Sequence, residues 1–133
     1  MIGLDTNVLV RYIMQDDPQQ SPKANQLIES LDGDNTGYIT IVTIVELYWV
    51  LTSAYKLTRQ QAGQAIEAIL CTKYFLVERA DQVMRALRVF GNGNGKADFP
   101  DCLIERSASS AGCKRTMTFD VGAARHAGMI LID

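Results

Sequence analysis

Short-range chemistry is scarce in this chain. Its three cysteines, Cys71, Cys102 and Cys113, are odd in number and lack the close paired spacing of zinc or redox motifs, which excludes a disulfide framework. They are expected as buried free thiols, with Cys102 and Cys113 as small core residues of one helix. The single histidine, His126, lies in a small-residue segment with no partner motif, so a solvated or packed surface residue is expected there. No apolar run reaches the roughly 18 to 20 residues needed to span a bilayer, so no membrane association is expected. The opening MIGLDTNVLV carries an acid early and has no basic leader, so it does not read as a signal peptide, and a cytoplasmic protein is expected. A basic excess is missing too. The net charge is −2, which at first argues against a nucleic-acid partner.

What is present is ordinary globular material. With 47% hydrophobic and 21% charged residues over 133 positions, the chain is expected to form a single domain, 1–133. MIGLD reads as a short strand ending in an acid, and TNVLVRYI has the apolar spacing of a helix. After QDDPQQSP, a second helix is predicted over 21–31, and LDGDNTG is a loop by composition. The apolar stretch from Tyr38 onward is too long for one strand. It is divided into a strand at 38–41 and a helix at 43–55. Thr58 is expected to cap a helix over LTRQQAGQAIEAIL, YFLVE to be a strand, and Asp81 to cap the next helix. GNGNG is an exposed loop. ADFPDCLIERSASSAGC is then helical with Gly112 as its stop, TMTFD a strand, VGAARHAG a short helical turn and MILI a last strand. Strands alternating with helices predict an α/β protein with a parallel sheet covered on both faces, whose ligands bind beyond the carboxyl ends of the strands.

Acids recur at those ends. Asp5 and Asp120 each close a predicted strand. Each is also well placed as a helix N-cap, and Thr6 and Asn7 can orient the Asp5 carboxylate by hydrogen bonding. In DFPD, Asp98 as cap, Pro100 in the first turn and Asp101 three residues on form a sound capping arrangement. The same spacing sets two carboxylates on one helix face. Glu46 is surrounded by Ile44, Val45, Leu47, Tyr48, Trp49, Val50 and Leu51. The run looks buried, so Glu46 within it is expected to need a basic partner, a proton, or a cation shared with other acids. Oxygen-only ligands of this kind select Mg²⁺ or Mn²⁺ rather than zinc. Setting Asp5, Glu46, Asp98, Asp101 and Asp120 aside as one metal site leaves the remaining charge of the chain positive. Arg11, Lys96, Arg85 and Arg88 are then candidate phosphate contacts, each equally placed to be a solvated surface charge. Tyr48, Trp49 and Tyr55 are expected to pack a core or a subunit contact.

The stretches GLDTNVLVRYI, TIVELYWVL, ADFPDCLI and TFD, in this order across almost the whole chain, resemble the PIN-domain ribonucleases, in particular the VapC toxins of toxin–antitoxin pairs. The resemblance implies an α/β/α sandwich with a central parallel sheet and a Mg²⁺- or Mn²⁺-dependent endoribonuclease acting on RNA. It implies a homodimer and a VapB-like antitoxin partner whose tail covers the site. It assigns catalysis and metal binding to Asp5, Glu46, Asp101 and Asp120, with Asp98 as an accessory, and supporting polar roles to Thr6, Asn7 and Thr118. Arg11 and Lys96 are the expected substrate contacts. Three other functions suit parts of the pattern. A housekeeping RNA-processing nuclease would use the same residues. A Mg²⁺-binding phosphoacceptor domain would leave Glu46 without a role, and an inert interaction module would have no reason to keep all the acids.

Overall fold

Ile2–Gly3 forms β1, and Asp5 then starts helix α1, Thr6–Met14. The computed structural model describes residues 1–92 and 96–133. It separates into two compact units, Met1–Glu78 and Arg79–Asp133.

In the first unit, α1 is followed by α2, Gln20–Glu29, and by β2, Gly37–Ile39. Helices α3, Ile41–Ser53, and α4, Arg59–Leu70, lead to β3, Phe75–Val77. The strand order is β1-β2-β3, and both pairings are parallel. Helical crossovers explain this, because parallel neighbours cannot be joined by a tight turn. Gly37 opens β2 where a Cβ would stand 2.7 Å from a methyl carbon of Leu4 and 3.0 Å from one of Leu31. Only glycine lets the strands approach that closely against those two leucines. Leu9, Ile39, Ile44, Leu47, Leu51 and Ile66 are fully buried in this unit. The predicted Thr58 cap of α4 is present and is part of a capping box, with Thr58 accepting from Gln61 N–H and the Gln61 side chain accepting from Thr58 N–H.

Several boundaries differ from expectation, among them α2 at Gln20–Glu29 rather than 21–31 and the division of the apolar run into β2 and α3. Helix α3 starts at Ile41 rather than at 43, because Thr40 is its N-cap and ends β2 early. The β-branched Ile41 and Val42 look like strand, but Val42 is 71% exposed on the first turn of the helix.

The second unit contains α5, Ala80–Asn92, α6, Phe99–Ser110, β4, Met117–Thr118, α7, Val121–His126, and β5, Ile130–Leu131. Strands β4 and β5 pair in parallel around α7. Helix α5 buries Val83, Ala86 and Phe90 at helical spacing, and Phe90 meets Phe99 of α6 edge-on, ring centres 6.0 Å apart. Its other side exposes Arg85 and Arg88. Asp81 lies inside the first turn of α5 and is not its cap, since the helix begins at Ala80. Of the expected GNGNG loop, Gly91 and Asn92 belong to α5, and 93–95 lie outside the described residues. Gly112 follows α6 at φ 101°, a left-handed turn that ends the helix as expected.

All three cysteines are free, but only Cys102 is buried. Cys71 and Cys113 are exposed because each falls just after the end of its helix, beyond the face that packs. Among the described residues, no helix is long and apolar enough to cross a membrane.

Candidate active site

The three strands of the first unit run parallel, so their carboxyl ends share one edge. Asp5 follows β1 there, Thr40 follows β2, and Glu78 follows β3. Asp5 is the N-cap of α1 and its Oδ1 accepts the Thr6 backbone N–H at 2.7 Å, so the capping role is real. The carboxylate stays exposed and keeps its second oxygen for other work.

Glu46 stands in the second turn of α3, and the structure corrects the expectation that it is buried. Helix α3 packs Ile44, Leu47, Tyr48 and Leu51 inward, while Glu46 belongs to the opposite face with Val42 and Trp49, 71% and 49% exposed. An all-apolar sequence does not reveal that only one side of the helix is covered. Glu46 is held by Thr6, whose buried hydroxyl donates to its Oε1. One residue therefore grips both candidate acids of this unit that the sequence singled out, Asp5 through its backbone and Glu46 through its side chain. Among the described residues, the group that meets Glu46 is this hydroxyl, not an arginine or lysine.

Glu78 went unnoticed in the sequence. Its Oε1 accepts the Ile41 backbone N–H at 2.8 Å, while the Thr40 hydroxyl accepts from Thr43 N–H at 3.1 Å. The two together satisfy two of the free amides at the start of the helix that carries Glu46. The available signal was an acid closing a predicted strand, the same signal that marked Asp5.

Asn7 is exposed on α1 and lines a groove of about 290 Å³ with Arg11, Gln20 and Lys23 of the α1–α2 pair. Arg11 is heavily engaged within the unit. It donates to Gln20 Oε1 at 2.7 Å and to the Tyr55 hydroxyl at 3.0 Å, and lies 3.6 Å from Asp16. Burial and the hydrogen bond to Asp16 raise the Tyr55 hydroxyl above its usual range, so it stays a neutral partner.

In the second unit, Asp98 occupies the N-cap position of α6 with Pro100 in the first turn, but its side chain makes no capping hydrogen bond. The carboxylate is therefore not consumed by the helix. Asp101, half-buried in the first turn, has its pKa raised, first by burial and then by the charges of Asp98 and Asp120. The charges of Asp98 and Asp120 thus both reach Asp101. Asp120 is the N-cap of α7, accepting Ala123 N–H at 3.0 Å. Thr118 Oγ1 accepts the Asp120 backbone N–H at 3.0 Å and so fixes the backbone at that acid. Lys96 is exposed ahead of α6, and His126 is half-buried in the last turn of α7.

In neither unit, among the described residues, do three or more His, Cys, Asp or Glu side chains stand close enough to enclose an ion as they are placed. The donor chemistry still fits a hard divalent cation. All the candidate ligands are carboxylate oxygens, the Asp98 carboxylate is spare, and the mutual repulsion at Asp101 is of the kind a cation relieves.

Residues 2–129 match the family model of the PIN domain, and the chain belongs to that family. The expected α/β class with a central parallel sheet, an α/β/α PIN fold, is the fold of this chain. Within that family it is similar to the VapC ribonuclease of Aquifex aeolicus (strain VF5), 27% identical over 118 residues that cover 87% of this chain and 84% of that protein.

Proposed function

We propose that this chain is an endoribonuclease, dependent on Mg²⁺ or Mn²⁺, that serves as the toxin of a toxin–antitoxin pair. The observation that carries the reading is the set of carboxylates near strand ends and in the first turns of helices: Asp5 and Glu46 tied through Thr6, and Asp101 acted on by the charges of Asp98 and Asp120. The similarity to a VapC ribonuclease along most of both chains supports the choice of RNA as substrate. The tie between Glu46 and Thr6 also favours a nuclease over a phosphoacceptor domain, in which Glu46 has no task.

Asp5, Glu46, Asp101 and Asp120 are the residues on which hydrolysis depends, with Asp98 as accessory. When bound, a divalent cation supplies Lewis-acid stabilisation of phosphoryl charge and an attacking water of lowered pKa. The chain's own contribution is orientation: Thr6 fixes one oxygen on each of Asp5 and Glu46, and Thr118 sets the backbone that aims Asp120. The raised pKa of Asp101 makes it the carboxylate best able to carry a proton in the absence of cation.

A protein partner is part of the proposal. Helix α3 leaves a shallow apolar groove of about 690 Å³ along Ile41, Val42, Val45, Trp49 and Val50, with Glu46 on its rim. Exposed apolar area of this sort marks contact surfaces, and a second copy of the chain and a small antitoxin are the partners proposed. The cytoplasm, where RNA and such a partner meet, is the proposed location.

The test is cleavage of single-stranded RNA by purified protein with Mg²⁺ or Mn²⁺, repeated with EDTA and with Asp5→Asn and Glu46→Gln. Activity abolished by chelation and by both substitutions, with melting curves intact, is expected. Cleavage that survives chelation, or both substitutions, overturns the mechanism.

A further inference from the structure

Phe119 is the large apolar side chain with the highest exposure among the described residues, at 79%. Nothing in the packing of its unit calls for it, since the buried residues around the short strands are Ala123, Ala127 and Met129. Yet the backbone that carries it is pinned on both sides. Thr118 pairs with Leu131 in the parallel ladder, and its carbonyl accepts Ile132 N–H at 2.8 Å. On the other side, Asp120 is fixed by the Thr118 hydroxyl at 3.0 Å and by its own cap to Ala123 at 3.0 Å. A phenyl ring with two rotatable bonds is thus held in water directly beside an acid of the candidate site.

We propose that Phe119 is a stacking platform for an unpaired nucleobase of the RNA. The inference rests on the nuclease reading and adds to it a determinant of substrate class. Every base presents a π-face, so an exposed ring takes an unpaired nucleotide with little sequence preference. A nucleotide keeps its base a sugar away from its phosphate. A ring that flanks Asp120, without joining the carboxylates, is therefore where a base belongs when a phosphate faces the acids. Lys114, Arg115 and Arg125, all exposed in the same unit, supply positive charge for neighbouring phosphates. A base in a duplex is already stacked and paired, so the platform favours single strands.

The experiment compares Phe119→Ala, Phe119→Leu and Phe119→Tyr in cleavage of a mixed-sequence single-stranded RNA and of the same strand annealed to its complement. Stacking on one base predicts that the Ala and Leu variants raise KM for the single strand about 5- to 150-fold, while kcat holds and Tyr restores the native KM. The duplex should show no such dependence. Melting temperatures should stay unchanged, since the side chain is exposed, and the Leu against Tyr comparison decides the matter even if they shift. A Leu variant equal to the native protein means that apolar bulk, not the ring, is what counts, and overturns the proposal. So does a result in which all three variants cleave alike, the outcome expected if Phe119 serves a protein partner. If the native protein cleaves no RNA with either cation, the function itself is wrong and the platform falls with it.

Discussion

Thr6 and Asp101, two residues of the proposed site, bear on stability in opposite ways. Thr6 is buried and directs its hydroxyl to Glu46. Thr6→Val keeps the shape and removes the donor. We expect activity to fall about 10- to 100-fold, as when an outer partner of a metal ligand is lost, with a stability loss of only about 1 kcal/mol. Titrating the cation against activity should show the weakened affinity, and an unchanged titration counts against the role. Asp101 has the opposite sign. Its folded pKa is raised above the ordinary 3.8. Below that value both folded and unfolded chains hold the proton, and the residue is neutral in its effect. As pH climbs toward the folded value, the unfolded chain loses its proton first, so stability falls and stays lowered above it. Asp101→Asn should therefore melt higher than the native protein at pH 7, lose that advantage in acid, and lose activity throughout. Saturating Mg²⁺ should narrow the gap. A variant that melts lower at pH 7 sinks the account. At this scale Asp5, Asp98, Asp101 and Asp120 could be singled out because strand ends and caps have sequence signals. The surroundings of Glu46 were misread, since exposure depends on which helix face is covered, and no local pattern states that.

At the scale of elements, the start of α3 is the informative case. Its strand-like first residues turn helical because two side chains take up its free amides, Thr40 from next door and Glu78 from 37 residues away. The near cap was readable, and the far one was not, because a long-range partner leaves no mark in spacing. Glu78→Ala should cost about 1 kcal/mol in urea unfolding, in the range of a lost cap, and Glu78→Gln, which keeps an acceptor, should recover most of it. Because α3 carries Glu46, we also expect the alanine variant to need more cation for half-maximal activity, with glutamine restoring it. Loss of stability without that shift would leave Glu78 a helix cap and nothing more. The control is Thr58→Ala, which breaks the capping box of α4. It should lower stability by a similar amount and leave the cation requirement alone, because α4 carries none of the acids.

For the molecule as a whole, the balance between solubility and association rests on α3. A net charge of −2 gives weak mutual repulsion between copies. Against it stand Val42 and Trp49, 71% and 49% exposed on a groove of about 690 Å³. The sequence showed the apolar residues but could not say that they face outward; their run of hydrophobicity reads as core until one side is seen to be open. If this face joins two copies of the chain, each Val42 and Trp49 meets apolar surface of the other, and a charge placed there is buried without a partner. The double variant Val42→Glu, Trp49→Ala is therefore expected to run as a monomer in light-scattering chromatography, and the native protein is expected to run as a dimer. Neither side chain belongs to the buried set, so the monomer should unfold in one transition with a midpoint close to that of the native protein at low concentration. A native protein that is monomeric at all accessible concentrations removes the dimer and leaves the groove to a different chain. A dimer that survives the double variant places the contact on another surface, for which the exposed Ile130, Leu131 and Ile132 would be the next residues to charge.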